Sequence, residues 1–166
     1  MKRAIVFLAL AGIACAGQQF VEQPPAKLPA YPKPENLIPF NTGPTSQFNF
    51  FVDRSSLSVG QDGVIRFILV AKSTGATNVS YEGMRCLTRE RKVYALGQTN
   101  GTWRDLADPE WVRIVAPPVE VYRFMLYRDY FCPAGYPIQS AAEGINALQR
   151  GGNPRAQEVH LESLAE

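Results

Sequence analysis

The chain has 166 residues, of which 46% are hydrophobic and 19% charged, so one core of ordinary composition is expected and two large domains are excluded. Its formal charge of +2 vanishes in the expected mature form, because losing Lys2 and Arg3 with a signal peptide takes the 17 basic residues to 15, against 15 acidic ones. With no global field to steer polyanions, no nucleic-acid partner is expected, and the single histidine, His160, cannot supply a histidine-based metal site or a Ser/His/Asp triad.

Lys2 and Arg3 precede the apolar run Ala4 to Ile13, and small residues follow, so residues 1–16 have the three-part layout of a secretory signal peptide. The run is shorter than the roughly 20 residues that span a bilayer. Export to the periplasm or outer membrane is expected, by either of two routes. Ala14-Cys15-Ala16 fits a signal-peptidase site that releases a soluble chain at Gly17, whereas Gly12-Ile13-Ala14-Cys15 is an imperfect lipobox with Cys15 as lipid acceptor. In the second case a lipid anchor is the only expected contact with the membrane.

Seven prolines from Pro24 to Pro44 deny residues 17–45 a helix or a central strand. This stretch reads as a semi-rigid linker, in which Leu37, Ile38 and Phe40 are able to dock along a sheet. The folded domain is expected over residues 46–152. Phe48, Phe50, Phe51 and Val52 form an aromatic strand, and Asp53-Arg54-Ser55-Ser56 supplies turn chemistry before Leu57 and Val59. After the Gly60-Gln61-Asp62-Gly63 turn, Ile65, Phe67, Leu69 and Ala71 alternate against Arg66 and Lys72, the period of a half-buried strand.

The stretch from Asn78 to Leu87 puts Val79 and Tyr81 on one face and Met84 and Cys86 on the other, which calls for a second core face. In Arg91 to Gln98, Val93 and Ala95 alternate against Tyr94 and Leu96. Asn100-Gly101 turns the chain before Trp103, and a further strand is expected from Trp111 to Val115, ended by Pro117-Pro118. Then the period changes. Tyr122, Phe124, Met125, Leu126, Tyr127 and Tyr130 predict a helix over 120–131, stopped by Pro133 and Gly135. Ser140-Ala141-Ala142-Glu143 is a capping box that opens a second helix through Leu148, ended by Gly151-Gly152, and residues 153–166 form a polar tail.

With Cys15 removed or lipidated, Cys86 and Cys132 remain as an even pair in an oxidising compartment. A bridge between them closes a loop of about 47 residues and contributes about 4 kcal/mol in the chain-entropy treatment. Lacking C-x-x-C spacing, the pair is a structural staple rather than a redox centre. The predicted fold is therefore α+β, an antiparallel sheet of about five strands with one or two C-terminal helices packed on it and one disulfide.

Phe51-Val52-Asp53, Ser58-Val59-Gly60, Tyr81-Glu82-Gly83-Met84-Arg85-Cys86, Lys92-Val93-Tyr94-Ala95-Leu96-Gly97 and Asp129-Tyr130-Phe131-Cys132-Pro133 resemble the cryptic-neisserial-protein-like family of proteobacterial envelope proteins. The resemblance implies an exported envelope protein and carries no catalytic residue onto any position. A second resemblance, of pattern, is to the surface-adhesin protein E-like group, through Asp53-Arg54-Ser55-Ser56 and Arg85-Cys86 followed by Arg89 and Arg91. It implies an antiparallel sheet covered by helix.

For an enzyme, titratable groups must converge in a pocket, and the candidates are Asp53, Glu82, Asp105, Asp108 and Asp129. None lies in a catalytic motif. Asp53 and Asp108 have turn explanations, and Glu82 is expected to pair with a neighbouring arginine. No catalytic residue, cofactor or metal site is therefore assigned. Trp103 and Trp111 flank the polar loop 104–110, where they either cover the end of the sheet or contact a partner, an envelope protein or cell-wall polymer. Arg85, Arg89, Arg91 and Lys92, interrupted by Glu90, read as a solvated strand face. The functional expectation is a non-enzymatic binding or assembly factor of the envelope. The alternatives are a surface-exposed adhesin of the protein E-like kind and a small periplasmic hydrolase.

Overall fold

The computed structural model describes residues 21–25, 27–43 and 46–157. Seven strands form one antiparallel sheet: β1 (Leu37–Phe40), β2 (Asn49–Val59), β3 (Ile65–Lys72), β4 (Thr77–Arg85), β5 (Glu90–Gly97), β6 (Trp103–Asp105) and β7 (Val112–Arg113). They lie in the order β1-β2-β3-β4-β5-β6, with β7 paired to the other end of β5. The expected α+β architecture is present. The strand expected from Trp111 to Val115 is present as the short β7, the Pro-rich stretch supplies β1, and the chain after the Asn100-Gly101 turn supplies the short β6. β1 holds Pro39 at the sheet's edge, the position where a missing N–H is tolerated.

Both faces of the sheet are covered. Phe50, Val52, Ile65, Phe67, Leu69 and Met84 face an inner core closed by the C-terminal helices. Ile68, Val70, Val79, Tyr81, Tyr94 and Ala95 form the second, outer core. β3 is consequently buried from Ile65 to Val70 on both sides, Arg66 included, rather than half-buried as its alternation predicts. The polar residue in that pattern is buried because it has a partner, described below.

Two bulges adjust the ladders. β2 is continuous where a turn was expected, since Ser55 donates from its backbone N–H and its Oγ to Asp53 Oδ1, Ser56 Oγ donates to the Asp53 carbonyl, and the Ile68 N–H donates to Ser56 Oγ at 2.8 Å. The turn chemistry thus satisfies a bulge in which residues 54–57 stand opposite Phe67 alone. In β5, Tyr81 pairs with Ala95 and Glu82 with Val93, so Tyr94 is the extra residue. Tyr94 and Ala95 therefore share the outer face, against the predicted alternation.

The expected helix over 120–131 is present as α1 (Val121–Met125) followed by a π-helical stretch, Leu126–Phe131, which buries Leu126, Tyr130 and Phe131. α2 (Ala141–Arg150) begins as predicted, with the Glu143 N–H donating to Ser140 Oγ at 3.2 Å, and ends at Gly151, whose φ of 78° needs glycine. It packs tightly on β2, because a Cβ at Gly144 would lie 2.8 Å from Leu57 Cδ2. Cys86, just past β4, is bonded to Cys132 with Cα atoms 5.3 Å apart, so the disulfide ties the sheet to the helical layer. Among the described residues no helix is long and apolar enough to cross a membrane.

Candidate functional site

The outer core is completed by the N-terminal segment, residues 21–33, in which Leu28 and Tyr31 pack on the sheet. Its first anchor is a carboxylate. Glu22 Oε2 accepts from Lys92 Nζ at 2.7 Å and Trp111 Nε1 at 2.9 Å, and Oε1 accepts from the Tyr94 hydroxyl at 2.8 Å. Local structure explains the convergence. The β5 bulge turns Tyr94 outward beside Lys92, and the pairing of β7 with residues 90–91 brings up Trp111. The Arg85 guanidinium lies 3.8 Å from the centre of the Trp111 ring. Burial alone would raise the Glu22 carboxyl pKa, but the hydrogen bonds from Lys92, Trp111 and Tyr94 outweigh it and hold the group below its ordinary value. Burial, then Glu22, pushes the Tyr94 phenol up, so it remains a donor.

The second anchor reads main chain. The Gln23 N–H donates to Asp62 Oδ2 at 2.9 Å, and the Gln23 carbonyl accepts from Arg66 Nη2. Asp62, in the β2–β3 turn, pairs with Arg66 at 2.7 Å, which accounts for a buried arginine in β3. The third anchor is Trp103, whose Nε1 donates to the Pro29 carbonyl at 2.9 Å and whose ring centre lies 5.3 Å from that of Tyr31. The Tyr31 hydroxyl donates to the Gln98 carbonyl at 3.1 Å.

On the inner face the helices leave one end of the sheet open, at a recess of about 330 Å³. Phe48, Phe50 and Tyr122 form an aromatic wall, with Phe50 and Tyr122 stacked at 4.5 Å and 10°. Leu69 and Leu96 add aliphatic lining, and Asn78, Ser80 and Arg123 supply polar lining. Arg123 grips the buried Glu82 with both arms of its fork, Nε to Oε2 at 2.9 Å and Nη2 to Oε1 at 2.7 Å. Its Nη1 donates to Glu120 Oε1 at 2.9 Å, which also accepts from Arg91 Nη2 at 2.7 Å. Ser80 Oγ donates to Glu82 Oε1 at 2.6 Å. Two arginines and two carboxylates thus cancel. Burial opposes ionisation of Glu120, but Arg91, the Val115 N–H and Arg123 win and hold its carboxyl below the ordinary value. Arg123 is itself driven upward, burial notwithstanding, by Glu82.

The residues singled out from the sequence are distributed over both faces. Trp103 and Trp111 are half-buried on the outer face, each with its indole N–H donated to the N-terminal segment. The basic run is paired rather than solvated: Arg85 with Glu90, Arg91 with Glu120 and Lys92 with Glu22, while Arg89 lies over Phe124 at 4.9 Å. Of the candidate carboxylates, Glu82 pairs not with a neighbouring arginine but with Arg123, 41 residues away, Asp53 is buried in the β2 bulge with Oδ2 unbonded, Asp129 pairs with Arg128, and Asp105 and Asp108 are exposed. They do not converge. Among the described residues no group of three or more His, Cys, Asp or Glu is placed to hold a metal ion. Cys15, the candidate lipid acceptor, and His160 lie outside the described residues. Sequence reasoning missed Glu22, Arg66 and Arg123. A buried-strand pattern interrupted by Arg66 was the available signal for the second, and the other two gave none.

Neither the curated proteins nor the solved structures contain a match to this chain. The CNP1-like family profile matches residues 15–149, a span that takes in the N-terminal segment, every strand, the disulfide and most of α2, and the chain belongs to the CNP1-like family.

Proposed function

We propose that this CNP1-like protein is a non-enzymatic binding or assembly factor of the cell envelope, exported by the signal-like residues 1–16. Its inner-face recess then receives an apolar group of a partner molecule. The observation that carries the reading is the pairing of charge around the recess. Glu82 and Glu120 are bound by Arg123 and Arg91 in a neutral network, so they support the shape of the recess instead of presenting an acid or base to a substrate. The recess is lined by an aromatic wall, aliphatic side chains, Asn78, Ser80 and Arg123, whose charge is met by Glu82 and Glu120. An open, mostly apolar recess near the lower end of the size range of ligand pockets suits an aromatic ring or short aliphatic chain with one neutral hydrogen-bonding group.

The test is photocrosslinking in cells, with a photoreactive residue at Asn78 and, as a control, at the exposed Arg104. The reading predicts a discrete adduct from position 78 in the envelope fraction and none from 104. Equal labelling from both positions, or adducts confined to the cytoplasm, would contradict it.

A further inference from the structure

We propose that the outer-face groove is a receptor for an extended peptide of a partner bearing one carboxylate side chain, and that residues 22–31 fill it in cis as an exchangeable strap. The proposal is independent of the inner-face recess. Its anchors are those of a recognition site. Lys92, Tyr94 and Trp111 converge on one carboxylate, while Asp62 and Arg66 address the N–H and the carbonyl of the next residue. Trp103 takes a carbonyl six residues further on. The first contact demands an acid, and the other two read main-chain atoms that a peptide presents and a sugar backbone does not. Between the anchors Pro24 and Pro25 carry no N–H, and the described residues among 21–33 add no strand to the sheet, so no ladder of theirs locks the segment in place.

An empty groove would be electrostatically unbalanced. The Lys92 side chain, 13% exposed with the strap in place, would lose its counter-charge, whereas Arg85 keeps Glu90 and Arg66 keeps Asp62. A half-buried cation left without its partner is costly, so the vacated seat draws in another carboxylate. In the resting chain the strap competes from an effective concentration of about a millimolar, which keeps outside peptides weak until it is loosened.

The test uses the chain starting at Gly17 and a fluorescent peptide with the sequence of residues 21–34. Weakening the strap by Glu22→Gln should raise peptide affinity about tenfold or more, as removal of a cis competitor requires. A peptide with Gln in place of its Glu should show no such gain. In a chain combining Glu22→Gln with Lys92→Glu the preference should reverse, toward a peptide carrying Lys at that position, and near-UV circular dichroism reports whether each variant keeps its packed core. No peptide binding to a natively packed Glu22→Gln chain, or binding indifferent to the peptide's carboxylate, would overturn the proposal. So would Lys92-dependent binding of muropeptides by a chain that ignores the peptide, which would make the receptor one for cell-wall polymer.

Discussion

The two faces of the sheet are closed by different means. The inner face is covered by α1, the π-helical stretch and α2, through aliphatic and aromatic side chains that exclude water, and a disulfide fixes the cover to β4. The outer face is covered by a segment that packs Leu28 and Tyr31 on the outer core and is anchored besides by polar contacts to Tyr94, Asp62, Trp103 and the Gln98 carbonyl. Apolar burial is insensitive to pH and to single charges, whereas a clasp made of a carboxylate and three donors responds to both. One sheet thus carries a permanent cover and a conditional one.

The contrast is broken most severely at the ion network, which lies on the permanent side yet depends on charge. Arg123→Met leaves Glu82 buried without its partner and should cost about 3–5 kcal/mol in urea unfolding. Replacing both members with apolar residues of similar volume should return most of that loss, since the pair's desolvation disappears with it. Removing the disulfide with Cys86→Ser and Cys132→Ser should cost about 2–5 kcal/mol by the same measurement, and should loosen the helices without freeing the N-terminal strap.

Acidification sharpens the comparison. The Glu22 carboxyl pKa is lower in the folded protein than its ordinary 4.5, so the clasp contributes fully above that value and is lost as pH falls through the lowered one. Asp62 behaves in the same direction, because its bonds from Arg66, Gln23 and Val64 outweigh the burial that opposes them. Tryptophan fluorescence should therefore change on acidification below pH 4.5, with no corresponding step between pH 5 and 8. Glu22→Gln should abolish most of the Trp111 component. At the small end, Ser140→Ala removes the cap of α2 and should cost about 1 kcal/mol, confined to the inner face.

Local chemistry was legible in the sequence. The capping box at Ser140, the alternation of Val79 and Tyr81 against Met84 and Cys86, and the pairing of Cys86 with Cys132 all depend on near neighbours or on counting. Long-range partners were not legible. Glu22 meets Lys92 across 70 residues, and Glu82 meets Arg123 across 41, distances over which no spacing rule applies. Proline-rich composition also looks the same whether a segment floats or docks, because it excludes helix and ladder in either case. The bulge at Tyr94 was hidden for a related reason. One inserted residue reverses which side chains share a face, and both Tyr94 and Ala95 are acceptable on a buried one.

The central claim is that a carboxylate clasp, separable from the core, closes the outer face. Amide hydrogen exchange on the chain starting at Gly17 and on its Glu22→Gln variant, both at neutral pH, tests it most directly. The account predicts exchange about tenfold faster or more in the variant at the Gln23 N–H, which is bonded to Asp62 Oδ2, as loss of a half-buried charged contact beside it implies, with β2, β3 and α2 unchanged. Unaltered exchange in the N-terminal segment, or an equal acceleration spread over the sheet and α2, would contradict it.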